Sequence, residues 1–165
     1  ETNSPDDDFD RLIEFLMQNA ESLRIDKSKV GIWACSANTV LAMNKVSKLN
    51  DFKCISIFYG LTITSGSEHY REAEELSKKN GFTFLPANEY TSTIPTLVVR
   101  AGKDSWIVIL KAINEFVWSL MTNNKNFELI NYPDGQHGFD IFDDTMTSKE
   151  IIVRTIEFFK KELNR

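Results

Sequence analysis

With 165 residues, 42% of them hydrophobic and 26% charged, the chain can bury one sizeable core, so a single domain over residues 1–165 is the default. No run approaches the ~18 uninterrupted apolar residues of a membrane span, and a net charge of −5 leaves no basic footprint for nucleic acid. Membrane and nucleic-acid partners are therefore not expected.

The clearest charge run, Asp6-Asp7-Asp8, fits a solvated helix start, where the dipole favours acids. Phe9, Leu12, Ile13, Leu16, Ala20 and Leu23 recur at helical spacing and mark one face of an amphipathic helix. A strand is expected from about Val30 to Ala34. Beyond Ser36, the apolar positions Val40, Leu41 and Val46 predict a helix to about Leu49. Cys54 to Tyr59 reads as a second strand of buried type, ending at Gly60.

The stretch Glu68 to Lys79 is polar and helix-prone, with Tyr70, Ala73 and Leu76 at helical spacing. His69 lies at its start, which reads as a partly exposed surface histidine. The less regular part from Phe82 to Thr93 either lines a substrate pocket or is an ordinary strand and connecting loop. A third strand begins at Ile94 and gives way to a turn at Gly102 and an acid, Asp104. Leu110, Ile113, Val117 and Leu120 mark a helix from Ile107 to Met121. A fourth strand starts at Phe127 and leads into the loop Pro133-Asp134-Gly135-Gln136-His137-Gly138. Ile152, Ile156, Phe159 and Leu163 mark the closing helix. Strands alternating with helices predict an α/β fold, a parallel sheet with right-handed crossovers and helices at its flanks. No internal repeat, low-complexity segment or linker interrupts it.

Chemistry concentrates at three strand ends. Lys29-Val30-Gly31-Ile32-Trp33-Ala34-Cys35-Ser36-Ala37-Asn38 reads as strand, sharp turn and helix with Ser36 at the apex, the local form of a nucleophile elbow. A hydroxyl there is lifted above the sheet, and the Ala37 N–H behind it can face a developing oxyanion. The same serine, taken alone, is also a helix N-cap. Asp104 and His137 each follow a later strand, where open parallel sheets place their ligands. Each also has a plain structural reading, Asp104 as a cap of the next helix and His137 as a loop hydrogen-bonder. The order Ser, Asp, His differs from both the chymotrypsin and the subtilisin orders.

On these three segments the chain resembles the C-terminal part of a dienelactone-hydrolase-like member of the α/β-hydrolase superfamily. The resemblance implies a serine hydrolase with Ser36 as nucleophile, Asp104 as orienting acid, His137 as base and Ala37 as an oxyanion donor. The namesake enzymes use cysteine, but the motif falls on Ser36 and not on Cys35, so lactone specificity does not carry over. A small-molecule acyl substrate and no cofactor are implied, since the triad supplies its own nucleophile and base. The G-x-S-x-G pattern is replaced at both glycines, by Ala34 and Asn38, and a glycine at the second position normally keeps the elbow unstrained. The alternative is accordingly a catalytically impaired relative that binds ligands or serves as an interaction module. Because the first helix leads directly into the elbow strand, the N-terminal strands of the fold, with the loop bearing a second oxyanion donor, are expected to be missing from this chain. A complementing N-terminal half or a homo-oligomer would supply that edge of the sheet.

Cys35 and Cys54 lie in or beside buried-type strands, where a thiol acts as a small hydrophobe, and they make no disulfide framework. Neither H-x-x-x-H nor C-x-x-C spacing occurs, so no metal is expected. Without disulfides the cytoplasm is the default location, although no targeting pattern marks it.

Overall fold

In a computed structural model, described for residues 4–49 and 51–165, the first helix opens on a reciprocal cap. The Asp7 N–H donates to the Ser4 hydroxyl, the Ser4 N–H donates to the Asp7 carboxylate, and Pro5 takes the first helical position. Helix α1 (Pro5–Gln18) ends at Asn19, whose side-chain amide donates to the Phe15 carbonyl, and a separate turn, α2 (Ala20–Leu23), follows. The single helix expected through Leu23 is thus two pieces, because the backbone leaves the helical conformation at Asn19, with φ −102° and ψ 13°. Its apolar face is only partly covered, with Ile13 packed against the core. No residue of α1 is buried, and Leu12 and Phe15 are more than half exposed.

Four strands, β1 (Gly31–Cys35), β2 (Cys54–Phe58), β3 (Thr96–Ala101) and β4 (Phe127–Tyr132), pair in parallel in the order β1-β2-β3-β4. Between and after them run α3 (Asn38–Lys48), α4 (Tyr70–Asn80), α5 (Ile107–Thr122), α6 (Phe139–Phe142) and α7 (Met146–Leu163). Every residue of β2 is buried, and β3 is buried except at Arg100, as expected of central parallel strands covered by helices. The register brings the strands to a common finish: Cys35 pairs with Phe58, Phe58 with Val99, and Ala101 with Tyr132. The loops after the four strands therefore all leave from the same end of the sheet.

The core joins Phe58 of β2 to Phe116 of α5, Met43 of α3, Phe139 of α6 and Phe158 of α7. Burying each such side chain contributes roughly 1.5–3 kcal/mol. In α7 the buried face runs through Ser148, Ile151, Thr155, Phe158 and Glu162, not through the expected stripe, of which Ile156 is exposed. Polar residues hold that face because their groups are bonded: Ser148 Oγ donates to the Phe139 carbonyl and Thr155 Oγ1 to that of Ile151. The apolar stripe is displaced by one position as a result. In α5, Ile113 and Leu120 are buried as expected, but Ile109, Ala112 and Phe116 complete the face in place of Leu110 and Val117.

The segment from Phe82 to Thr93 forms no strand. It is a packed loop with one tight helical turn at Ala87–Glu89, anchored by Ala87 and by Tyr90, whose ring meets Phe116 edge-on at 5.7 Å. Among the described residues no helix is long and apolar enough to cross a membrane.

Candidate active site

Ser36 is the first residue beyond β1 and has a φ of 54°, a conformation that L-residues adopt only under strain of about 1–3 kcal/mol. Its backbone is fixed on both sides: the N–H donates to the Phe58 carbonyl at 3.0 Å, and the carbonyl accepts from Thr39 and Leu61. The two departures from the glycine pattern are accommodated differently. Ala34 is buried with only its methyl group to place, and Asn38 is exposed at the first turn of α3. The close approach of helix and strand occurs instead at Gly60, where a Cβ would stand 2.6 Å from Ile57 and from the Thr39 hydroxyl. Asn38 therefore does not strain the turn by crowding; the strain lies in the backbone of Ser36 itself.

Asp104 follows β3, with a side chain that is 0% exposed. One carboxylate oxygen accepts from the Trp106 N–H at 2.9 Å, just ahead of α5, and the other lies 2.7 Å from His137 Nδ1. The first of these bonds holds the turn ahead of the helix and is no cap, because the N-cap residue of α5 is Trp106 and no side chain caps its first turn. The loops bearing Asp104 and His137 are tied together by Gly102 N–H to the Tyr132 carbonyl at 2.7 Å and Lys103 N–H to that of Gly135 at 2.8 Å. Gly138, at φ 73°, turns the chain sharply after the histidine.

His137 Nε2 lies 2.9 Å from Ser36 Oγ, so Ser36, His137 and Asp104 form one continuous hydrogen-bonded row. With Nδ1 facing the carboxylate, the tautomer that donates there leaves Nε2 free to accept from the serine. The imidazole sits between two aromatic rings that no sequence motif singles out. Tyr59 is 4.6 Å away at a 55° tilt, and Trp106 is stacked at 5.4 Å and 15°. Tyr59 donates its hydroxyl to Asp140 at 2.5 Å, bridging the end of β2 to α6. The available signal was position: Tyr59, like Ser36, stands just past the last paired residue of its strand.

Burial, and after it the hydrogen bond to Asp140, holds the Tyr59 hydroxyl well above the ordinary tyrosine range. The Cys35 thiol is also pushed up, chiefly by burial, which keeps it protonated beside a site where only a thiolate would attack. Burial pushes Cys54 up to about 12. His69 stays apart from the row, at the start of α4 with Glu68 at 3.2 Å and Glu72 at 3.6 Å. Among the described residues no group of three or more histidine, cysteine or acidic side chains is placed to hold a metal ion.

The architecture is of the α/β-hydrolase type. Esterase B of Lactobacillus rhamnosis superposes with a TM-score of 0.75 at 14% identity, covering 96% of this chain and 60% of that one. Esterase 2 of Thermogutta terrifontis, phosphoramylated by tabun, superposes with a TM-score of 0.72 at 18% identity, covering 98% of this chain and 66% of that one. The acetyl ester-xyloside bifunctional hydrolase of Caldicellulosiruptor lactoaceticus gives 0.68 at 24% identity, covering 92% and 63% respectively. The chain thus spans roughly three-fifths of the length of these neighbours, and at these identities the likeness is one of fold. No family model and no curated relative matches the sequence.

Proposed function

We propose that this chain is the catalytic part of a serine hydrolase acting on carboxylic esters, with Ser36 as nucleophile, His137 as general base and Asp104 as the orienting acid. The observation that carries this reading is the row of contacts at 2.9 and 2.7 Å between residues from three separate strand ends. His137 Nε2 takes the hydroxyl proton as Ser36 Oγ bonds to the ester carbonyl carbon, and the carbonyl oxygen becomes an oxyanion facing the Ala37 N–H. The proton on Nε2 then goes to the leaving alkoxide as its bond to carbon breaks, and water repeats the sequence in reverse to free the acid. Asp104 keeps the imidazole in the required tautomer and stabilises its charged form. The solved neighbours support this class of chemistry, being named as esterases or as an ester hydrolase.

The grouping with dienelactone-hydrolase-like proteins rests on the same three segments, and lactone specificity does not come with it. In this reading the complementing segment, or a second copy, pairs along β1, which ends the sheet among the described residues and leaves Trp33 37% exposed. A native gene product of only this length that is fully active as a monomer would exclude that pairing. The central test is labelling with a fluorophosphonate probe: Ser36 should be modified in the wild type and in Cys35→Ala, and labelling that persists in Ser36→Ala would remove Ser36 from the mechanism.

A further inference from the structure

Beside the Ser36–His137 pair runs an apolar cavity of about 490 Å³, walled by Leu61, Ile63, Leu76, Trp106, Ile107 and Val108. Two of these residues contact Ser36 and His137. The Leu61 N–H donates to the Ser36 carbonyl at 3.1 Å, and the Trp106 ring stacks on the His137 imidazole at 5.4 Å. The cavity therefore lies one residue away from the proton-transfer pair, next to it through Leu61 and Trp106. Behind it lies a packed cluster separate from the main core, in which Ile63, Ala73 and Ala112 are buried and Phe84 presses on Tyr70 at 5.8 Å. A wall so backed is preformed, and its volume lies in the range of small-molecule sites.

One stretch of the rim is polar. His69 and Glu72 line it, Glu68 lies 3.2 Å from the His69 ring, and the Lys111 ammonium is paired with Glu68 at 2.6 Å. With that lysine paired and two acids present, the rim offers no open cation for a carboxylate at the end of a bound chain. The geometry points to this cavity as the subsite for the apolar arm of a neutral ester, an alkyl or aryl group without a terminal acid. This assignment rests on the serine-hydrolase reading for its catalytic consequence, but the binding itself depends only on the cavity.

The experiment measures kcat/KM for p-nitrophenyl acetate, butyrate and hexanoate, and in parallel for acetate esters of lengthening alkyl alcohols. In one of the two series kcat/KM should rise about fourfold per methylene until the cavity is filled; which one rises tells whether the acyl or the alcohol arm occupies it. The variants are Leu76→Lys and Ile107→Lys, at positions 53% and 61% exposed where a charge is compatible with folding. In each, the long-chain to acetate ratio should fall about tenfold, whereas Val153→Lys on α7 should leave it unchanged. Flat series for both arms, or ratios unmoved by both cavity variants, overturn the assignment.

A second readout does not need turnover. On titration with octanamide, the methyl resonances of Leu61, Ile63, Ile107 and Val108 should shift, and acetamide should move them far less. If these methyls shift while fluorophosphonate fails to label Ser36, the catalytic reading falls and the cavity assignment stands. If Ser36 is labelled but the methyls stay still, the cavity assignment alone falls.

Discussion

The two halves of the candidate site are held in place by opposite means. Ser36 is positioned by a strained backbone, at φ 54°, with hydrogen bonds clamping the residue on both sides. Asp104 and His137 are positioned by a network: two backbone bonds join their loops, Asp104 accepts from the Trp106 N–H, and the histidine lies between two aromatic rings. Strain fixes a side chain whose own contacts are few, leaving the hydroxyl open to substrate. A network fixes groups whose charges change during reaction, since each partner stabilises one protonation state over another. The serine half should therefore respond to changes in the backbone, and the acid-base half to changes in its hydrogen bonds.

The largest effects test the row as a unit. Ser36→Ala and His137→Ala should each lower kcat on a short acyl ester by a factor on the order of 10⁶, with circular dichroism unchanged, because the two act in one proton transfer. Wild-type turnover in either variant would break the comparison at its root. Asp104→Asn should cost about 10⁴ in kcat with little change in KM, as the orienting charge and the required tautomer are lost together. Were turnover unchanged, only the bond to the Trp106 N–H would remain as the role of Asp104.

A smaller effect isolates the strained half. Ser36→Gly and Ser36→Ala should both be inactive, but the glycine variant should be more stable in urea by about 1 kcal/mol, because glycine accepts a positive φ without a Cβ penalty. Equal stabilities would mean that the elbow holds no strain.

The smallest effect belongs to the braced half. Past His137, Asp143 accepts from the Thr145 N–H at 2.9 Å and from the Tyr132 hydroxyl at 2.8 Å, and these bonds, the backbone one first, hold its carboxyl below the usual aspartate range. A carboxyl lowered on folding adds stability above its unfolded value, near 3.9, and loses it as pH falls through the folded value. Asp143→Asn should therefore lower Tm at pH 7, and its melting curve should converge with that of the wild type as pH falls through the folded value. A gap that persists in acid would attribute the loss to packing and not to charge.

Much of this was legible in the residues because it is local. Four short strand-like segments are readable in the sequence, and Ser36, Asp104 and His137 each stand in the turn or loop that follows one of them. The covering of a helix is not local, as α7 demonstrates: its sequence stripe passes through Ile156, but its buried face passes through Ser148 and Thr155, whose hydroxyls find carbonyl acceptors. Periodicity counts apolar side chains and has no measure of a polar group that folding will satisfy. Asn19 is a comparable case, where the backbone leaves the helical conformation within an otherwise unbroken apolar spacing.

By itself the sequence determined the alternation of strands and helices, the parallel sheet and the order of the three reactive residues, since backbone propensity and side-chain period act over a few positions at a time. Only the tertiary structure decided that Ser36 and His137, 101 residues apart, meet at 2.9 Å, and that Tyr59 and Trp106 close on the same imidazole. Those contacts follow from the parallel register, which brings all four strands to a common end. The apolar cavity beside them is built from residues of three different segments, which no local pattern could join.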